Sequence, residues 1–582
     1  MNSELTLLKF INHYIIHDGD EKYSNERTNL IQTFSYSIVE KIHPKVFAEN
    51  ITEIKIKLKS RDKENGNFVK ISLSHLEKLH FKLIYNPSNK TELSGEITYL
   101  NYLAQQGGGL NDSMFESDPY QSNRSRNWFD INWLLYSLKL NHEFSESTKF
   151  SFNFFGLNAT RDALGFRTNR VDQVDSFEER DLIKGEFNNY GIESRLIHNY
   201  SFLNMNTTSL VGIKYYKAHN RNQQGPGSSG IGPNFNFQID EFFDYPAQSN
   251  YTYPNLNTAI FGEQLMYISD KLSVTPGFRF EYIKTESLGY VKRINLDQAG
   301  NVILNQTEYY DDLRERSFLL LGLGASYKPN SFVEFYGNIS QNYRSVTFAD
   351  ISIINPAFVI NPDISDEKGY TMDIGARGKI KNLISYDLSL FSLLYDDRIG
   401  FLQKLFPDGN VRSERGNIGR ARIFGFESLV DFNVFKILDI DSEINANLFF
   451  NTSLIDSKYT QSDANGIEGN RVEFVPRFNF KSGFKLSYKK IIFNLLYSYI
   501  SDQFTDATNA ELGNLSGVIG LIPEYDILDF GCSYDMDSII LEAGVNNIFD
   551  NAYFTRRATG YPGPGIIPSP PRNFYLTMQY NF

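Results

Sequence analysis

The side chains most able to do chemistry in this 582-residue sequence are eight histidines, one cysteine and a run of three glycines. The histidines show no H-E-x-x-H or related metal-ligand spacing, and His75 and His80, five residues apart, fit the edges of strands. The glycines at 107–109 precede no predicted helix, which argues against a phosphate-binding loop. Cys532 is alone, so a disulfide framework and a cysteine-based metal cluster are excluded. We therefore expect no catalytic residues, no metal site, no cofactor and no enzymatic activity.

Binding chemistry is better represented, by arginine and glutamine side chains in long polar segments. A guanidinium group donates two parallel hydrogen bonds to a carboxylate, so these residues suit an anionic ligand rich in carboxylate oxygens. The net charge of -12 does not oppose such binding, because a ligand responds to the local field. The alternative for any single arginine is contact with surface lipid or solvent. The candidates are Arg161, Arg167, Arg221, Gln223, Gln224, Arg344, Arg412, Arg415, Gln503, Arg556 and Arg557.

The elements that must position these residues are strands, and the end of the chain shows their pattern best. Between residues 574 and 582 every second side chain is large and apolar, while polar residues and one tyrosine fill the other register. This alternation predicts a strand with one apolar and one polar face. A strand of about nine residues with an apolar outer face and a terminal aromatic is typical of a transmembrane β-barrel. The last strand of a soluble β-sandwich is the alternative for these residues alone.

The same alternation recurs from about residue 54 onward, in pairs of amphipathic runs joined by very short turns, as at 145–148, 328–331 and 535–538. Long segments rich in Gly, Asn, Asp and Arg separate the pairs. This asymmetry predicts an all-β, transmembrane antiparallel β-barrel of about 20–22 strands, with short periplasmic turns and long extracellular loops. We expect Phe582 to lie beside the first barrel strand. The long segments are 104–131, 161–188, 218–255, 285–313, 344–366, 398–420, 454–473, 503–523 and 550–571.

The alternation also assigns each strand face to lipid or to the lumen. The predicted lipid-facing residues are Leu272, Val274, Pro276, Phe278, Phe280, Tyr282, Phe478, Phe480, Phe484 and Leu486. The predicted inward residues include Asn479, Lys481, Lys485, Glu542 and Asn546.

Composition agrees with such a barrel. Aromatic residues make up 15% of the chain, which favours β-structure with aromatic girdles. The acidic balance and the lack of a basic block argue against binding of nucleic acid. The mean hydropathy is -0.36 and no long apolar run exists, so a helical membrane span is not expected.

Two regions of the sequence carry a family resemblance. The stretch 544–554 reads GVNNIFDNAYF and resembles the signature that precedes the last strand of TonB-dependent receptors. The following 555–568, TRRATGYPGPGIIP, is similar to the last extracellular loop of the ferric-citrate branch, particularly its Bacteroidetes-type members. The tracts 108–112, GGLND, and 118–129, DPYQSNRSRNWF, are similar to that branch as well.

The resemblance covers about residues 77–582 and implies a receptor in the outer membrane for an iron chelate such as ferric citrate or a similar siderophore. It implies energy from the TonB-ExbB-ExbD system, surrounding lipid and lipopolysaccharide, a monomer, and iron only as part of the cargo. The arginine and glutamine candidates would then contact the chelate from the loops.

The N-terminal region departs from the family pattern. Residues 1–50 carry no motif, no secretory signal and no energy-coupling box, and are too short for the plug that fills such barrels. We therefore expect an unassigned segment at 1–50, a barrel at 51–582, and a lumen that is empty or only partly occupied by residues 1–50. Transport would then require a plug supplied in trans. The alternative function is a truncated, non-transporting remnant or a plugless pore or structural barrel.

Overall fold

The protein is represented by a computed structural model. It describes residues 34–35, 51–59 and 74–580, apart from 169, 298, 300, 348–357, 407–410, 441 and 561–562. The expectation for the lumen rests on residues 1–50 and lies almost wholly outside the described residues, as does the predicted position of Phe582.

Strands account for most of the described chain. Those of the first half are β1 (Phe34–Ser35), β2 (Ile51–Lys59), β3 (Ser74–Ser88), β4 (Thr91–Gln105), β5 (Trp128–Ser145), β6 (Thr148–Gly165), β7 (Asp181–Phe202), β8 (Met205–Pro226), β9 (Ala247–Tyr267), β10 (Leu272–Leu296), β11 (Val302–Asn330) and β12 (Val333–Arg344). Those of the second half are β13 (Phe358–Ile360), β14 (Glu367–Ile380), β15 (Ile384–Leu405), β16 (Val411–Asn433), β17 (Ile444–Gln461), β18 (Phe478–Tyr488), β19 (Ile491–Ile500), β20 (Gln503–Phe504), β21 (Leu521–Ile522), β22 (Tyr525–Asp535), β23 (Ile539–Asn546), β24 (Phe554–Ala558), β25 (Gly565–Pro568) and β26 (Asn573–Tyr580). Two short helices, α1 (Asp112–Ser117) and α2 (Val434–Ile437), occur in the described connections.

The strands form one sheet of 22 in the described chain, within the predicted range. All but β13 pair antiparallel with their neighbours in chain order, with the hairpins β20–β21 and β24–β25 outside the wall. Strand β13 pairs parallel to β16. Strand β1 lies next to β26, so the two ends of the sheet meet as a closed barrel requires. The predicted transmembrane antiparallel barrel is confirmed.

One rim carries tight turns. Strands β7 and β8 are joined by Leu203 and Asn204 alone, both with φ near +55°, at 50° and 60°. Positive φ at both central residues is the geometry of a two-residue hairpin turn whose twist matches that of the strands. Short turns therefore set the register of the hairpins on this rim.

The opposite rim carries the long connections, and in two of them most of the predicted loop is strand. These are 285–313, where β10 extends to Leu296 and β11 begins at Val302, and 398–420, where β15 and β16 extend likewise. Cross-strand pairs support the extension. Tyr290 lies opposite Tyr309, with ring centroids 6.1 Å apart. The composition of these two segments suggested irregular loops, but pairing between the two strands of each hairpin determines their structure.

On β10 the predicted lipid-facing register is the more exposed face of the wall. Phe278 and Phe280 are 44% and 47% exposed. Arg279 and Glu281, which alternate with them along the strand, form an ion pair on the other face. Strand β26 repeats the pattern, with Phe574 and Leu576 highly exposed. An apolar outer face is what a bilayer requires, because lipid solvates side chains that water would not.

Buried apolar side chains gather under the loops. One cluster consists of Leu110, Ile522, Phe554 and Ile566, with Met114 and Phe115 packed on it. Another joins β16, β17 and two loops through Ile418, Ala421, Ile423, Tyr459, Ile467, Val472 and Ala507. Full burial of one such aliphatic side chain contributes about 1.5–3 kcal/mol, so these clusters hold the loops in place.

Helix α1 corrects one expectation, because it follows the three glycines at 107–109. Asn111 caps it, its side chain accepting a hydrogen bond from the N–H of Met114 at 2.9 Å. The helix has only six residues, and its periodic signal is too short to detect in the sequence. The glycine run serves close packing, since an added Cβ at Gly109 would collide with the carbonyl of Pro564.

Candidate functional site

The candidate site is the inner wall and mouth of the barrel on the long-loop side. The inward register is polar and carries paired charges. Arg195 pairs with Glu193 and Arg279 with Glu281, and the Nη2 of Arg377 lies 3.0 Å from Glu334. A wall whose inward face is polar and charged is typical of a water-filled lumen and not of a dehydrated hydrophobic core.

Arg161 lies on this inward register near the top of β6. It is opposite Ile131 on β5 and Gly185 on β7, in the same register as inward Asn153 and Glu193. Its guanidinium carbon lies 5.6 Å from the ring centroid of Phe187. Among the described residues no carboxylate pairs with it, so its donors are available to an anion in the lumen.

Arg167 and Gln224 belong to a cluster centred on buried Asp181. The Nη1 of Arg167 and the Nε2 of Gln224 lie 2.6 Å and 2.9 Å from the Asp181 carboxylate, and the hydroxyl of Tyr245 donates to it at 3.2 Å. Burial raises the pKa of Tyr245 well above its usual value, and the neighbouring Asp181 charge adds to the effect. The phenol therefore stays protonated as a donor. The cluster ties loop 166–180 and loop 227–246 to the ends of β7 and β8.

Arg557 is buried and joins the last loop to the first. It is 3% exposed, and its Nη1 and Nη2 lie 2.9 Å and 2.5 Å from the two carboxylate oxygens of Asp112. Its Nε and Nη2 donate to the carbonyl of Leu521, and its Nη1 to that of Gly517. All three nitrogens of the group are engaged, so this geometry gives Arg557 a structural role and leaves little capacity for cargo.

A backbone bridge lies beside Arg557. The N–H and C=O of Leu110 exchange hydrogen bonds with Ile566 at 2.9 Å and 2.7 Å. Gly517 (φ +68°) and Gly565 (φ +113°) approach the Leu110 carbonyl too closely for a Cβ. The tracts 108–112 and 555–568, noted separately in the sequence, thus form one junction.

Two arginines that sequence reasoning left out of the candidate set are the most buried of the described arginines. Arg126 is fully buried. It makes a bidentate pair with Asp175 at 2.8 Å and 2.5 Å, and donates to the carbonyls of Glu178 and Ser229. Arg180, also fully buried, donates to Arg126, Ser228 and Gly232. The only sequence feature that pointed to them was location: Arg126 lies in the tract 118–129, and Arg180 lies in the next loop.

Electrostatics in this loop assembly follow from burial and pairing. Burial alone would raise the pKa of Asp175, but hydrogen bonds from Arg126 and from the N–H of Phe177 lower it below the usual value. Burial lowers the pKa of Arg124 to about 10, against the opposing effect of Asp175 and Asp172. Both groups are therefore charged at neutral pH.

The remaining candidates are dispersed. Arg344 lies 3.1 Å from Glu367, and Gln503 is half-buried in the hairpin β20–β21. Arg415 lies over the ring of Phe401, 5.0 Å from its centroid. Arg556 is half-buried, and no described carboxylate pairs with it. The side chain of Arg412 lies outside the described residues.

Arg221 points away from the lumen, and so does Gln223. Arg221 is opposite Glu186 on β7 and Thr252 on β9, on the same face as exposed Val211 and Ile213 lower on β8. Its Nε donates to the side-chain oxygen of Asn250 at 3.1 Å. The alternation continues through β8 without a bulge, and this places both side chains on the outer face.

The described residues contain no group of three or more His, Cys, Asp or Glu side chains able to hold a metal ion. Nor do they include a helix long and apolar enough to cross a membrane.

Comparison with known proteins gives a consistent result. A family model described as TonB dependent receptor-like, beta-barrel matches residues 81–548. The unliganded ferric citrate transporter FecA superposes with a TM-score of 0.71 at 18% identity, over 90% of this chain and 72% of that one. The ferric-catecholate import receptor Fiu of E. coli K12 gives 0.68 at 12% identity, over 90% and 76%. The ferric yersiniabactin uptake receptor FyuA of Yersinia pestis gives 0.68 at 14% identity, over 91% and 74%. At these identities the likeness establishes the fold.

Proposed function

The chain belongs to the TonB-dependent receptor-like β-barrel family of the outer membrane, and we propose that it is the barrel of an uptake receptor for an iron chelate. The family consists of transport receptors rather than enzymes. We propose ferric citrate, or a siderophore of similar carboxylate content, as the cargo. Iron would enter within the chelate and no resident cofactor would be needed. TonB would supply the energy to a monomeric receptor whose barrel is formed by residues 51–582.

The observation that carries the cargo proposal is Arg161. It is an inward guanidinium without a carboxylate partner among the described residues, held over Phe187 on the mouth side of the lumen. Ferric citrate is anionic and presents several carboxylate oxygens, which match guanidinium donors in charge and spacing. The partly buried wall around Arg161 screens such an interaction less than bulk water does. Arg344, Gln503 and Arg556 remain proposed secondary contacts from the loops.

The other candidates support the site indirectly in this proposal. Arg167 and Gln224 hold Asp181, and Arg557 holds Asp112, so they fix the loops that surround the mouth. Arg221 and Gln223 face outward and are not retained as cargo contacts.

The test is equilibrium binding of ferric citrate to the purified 582-residue chain in detergent. R161A should weaken binding about tenfold or more, because a hydrogen bond to a charged group contributes about 1.5–3 kcal/mol. R161K should recover part of the loss, and R221A is the matched control on the outer face. Equal binding by wild type and R161A would refute the proposed cargo contact. Loss of binding in R221A and R161A alike would refute the assignment of faces.

A further inference from the structure

The hairpin of β10 and β11 rises above the membrane on the long-loop rim. The outward apolar residues of β10 end at Tyr282, and the next two outward side chains, Lys284 and Glu286, form an ion pair. An outward ion pair marks the end of the apolar band that faces lipid. From Lys284 to Leu296 the strand advances about 40 Å at 3.3 Å per residue. The upper half of the hairpin therefore lies outside the membrane.

Only one edge of this hairpin is covered. Strand β9 follows the edge of β10 almost to the tip, since the last pair of the two strands is Ala247 with Arg293. The edge of β11 has no such neighbour. Its pairing with β12 ends at Gly322 and Ser340, and no strand of the described chain pairs with β11 at 304–313 on this side. We call residues 304–313 the open edge.

The direction of the backbone groups along the open edge follows from strand geometry. Lower on β11 the N–H of Leu321 donates to the side-chain oxygen of Gln341 on β12 at 2.9 Å, which is away from β10. Backbone groups alternate between the two edges of a strand, and the pairing of β10 with β11 has no bulge from Leu304 to Tyr327. The odd-numbered residues therefore direct their N–H and C=O groups outward from the hairpin. In the open edge they are Asn305, Thr307, Tyr309, Asp311 and Leu313.

The connection from β12 to β14 turns away from the open edge in its described part. Val346 is fully buried and packs with Ile364. Two arginines with an inward register on β11 hold the connection. The Nη1 of Arg314 donates to the carbonyl of Ile364 at 2.8 Å, and the Nε of Arg316 lies 2.8 Å from the carboxylate of Asp366. The described ends of this connection thus lie against the lumen side of β11.

The residues of the open edge are those of a strand that pairs. Tyr309 is 81% exposed and Leu313 is 52% exposed. An uncovered edge strand is a template for another strand, and proteins usually block it with lysine, proline or a bulge. Residues 304–313 contain no lysine, no proline and no bulge. The segment therefore exposes both the backbone groups and the apolar side chains that strand addition requires.

The charge of the open edge determines which strand would fit it. The segment contains the carboxylates of Glu308, Asp311 and Asp312 and has neither lysine nor arginine. Arg314, just below the segment, pairs with Asp312 on the inward face, with the Nε 3.0 Å from the carboxylate. Asp311 lies on the outer face between Tyr309 and Leu313. Opposite charges stabilise a cross-strand pair and like charges destabilise it, so a second copy of this acidic segment fits poorly.

We propose that the open edge binds an extended, basic segment of another polypeptide at the cell surface, as an added strand. Backbone hydrogen bonds to the odd-numbered residues would supply affinity. A lysine or arginine opposite Asp311, with apolar side chains against Tyr309 and Leu313, would supply specificity. The surface is separate from the proposed cargo site, because Arg161 lies on the lumen face of the wall and the open edge lies beside the hairpin.

The experiment measures binding of a labelled synthetic peptide of alternating lysine and valine to the full chain in phosphatidylcholine nanodiscs, with empty nanodiscs as background. T307P should weaken binding about tenfold or more, because proline removes an N–H from the open edge. The bonds to β10 come from even-numbered residues, so T307P should unfold at the wild-type temperature. T307A is the matched control and should bind like the wild type. D311N should weaken binding about threefold.

Two altered peptides complete the test. A peptide N-methylated along one edge and a peptide with glutamate in place of lysine should each bind about tenfold more weakly or worse. Wild-type affinity in T307P, or equal binding of the methylated peptide, would show that the edge does not pair and would overturn the proposal. Equal binding of the lysine and glutamate peptides would refute the basic partner. Absence of binding to the wild-type chain would overturn the proposal as well.

Discussion

The arginines of the loop assembly and those of the strand wall share a residue type but differ in environment. Arg126, Arg180 and Arg557 are buried, and each guanidinium group donates to backbone carbonyls, with a carboxylate partner as well at Arg126 and Arg557. Arg161 and Arg221 lie on open faces of the wall, one inward and one outward. A buried arginine whose donors all have partners stabilises the structure. An arginine on an open face of the wall keeps donors that a ligand can use.

The largest effect expected from this contrast is on loop stability. R126A should destabilise the loop assembly by about 3–5 kcal/mol, because it leaves the Asp175 carboxylate buried without its partner. Amide hydrogen exchange in 166–180 is the measurement. Arg170, which is 61% exposed beside Asp172, is the control, since exposed pairs contribute about 0–1 kcal/mol. Equal protection of the amides of 166–180 in R126A and R170A would contradict the contrast between buried and exposed arginines.

A second comparison concerns the lipid-facing and lumen-facing sides of strand β18. Phe480 lies on the outer register of β18, and an arginine there should cost about 2–4 kcal/mol if the site is near the bilayer midplane. The neighbouring N479R points into the aqueous lumen and should be tolerated. Folding titrations in lipid vesicles measure both changes. A larger loss in N479R than in F480R would reverse the assignment of faces.

The junction of the first and last loops gives a smaller effect. An added methyl in G109A meets the carbonyl of Pro564 and the backbone of Gly565, so the loops must shift at a cost of about 1–3 kcal/mol. Gly560 has open space around its Cβ position, and G560A is the control. Thermal unfolding of both variants should separate them, and identical midpoints would show that the junction is not tightly packed.

The smallest effect is the pH dependence of the Arg126–Asp175 pair. The folded-state pKa of Asp175 is below its unfolded value of 3.8, so its stabilising contribution is complete above pH 3.8. It is lost as the pH falls through the lower folded-state pKa. The difference in unfolding midpoint between wild type and D175N should therefore persist from pH 6 to pH 4 and shrink below that. A difference that vanished between pH 6 and pH 5 would contradict the lowered pKa.

The architecture was largely predictable because alternation is a local signal. Each residue of a barrel strand faces either lipid or lumen, so the faces of Phe278, Phe280 and Phe484 follow from their own segments. Strand ends at the loop rim were less predictable. The residues near Tyr290 and Tyr309 pair only because two distant segments meet, and their loop-like composition concealed this.

The candidate site was predicted by residue type but not by role. Arg557 and Asp112 lie far apart in the sequence, and their pairing depends on closure of the whole barrel. Arg221 was placed in a loop, where its strand register was not considered, and so its outward direction was missed. The hydrogen-bond partners of Arg126 include carbonyls of two other loops, at Glu178 and Ser229, and such partners leave no pattern in the sequence.

The most direct test of the account is a binding measurement on a matched pair of variants. Ferric citrate is titrated against wild type, R161A and R221A in the same nanodiscs. We predict that R161A weakens ferric citrate binding about tenfold and that R221A leaves it unchanged. A loss of affinity in both variants, or in neither, would contradict the separation of an inward cargo face from an outward lipid face.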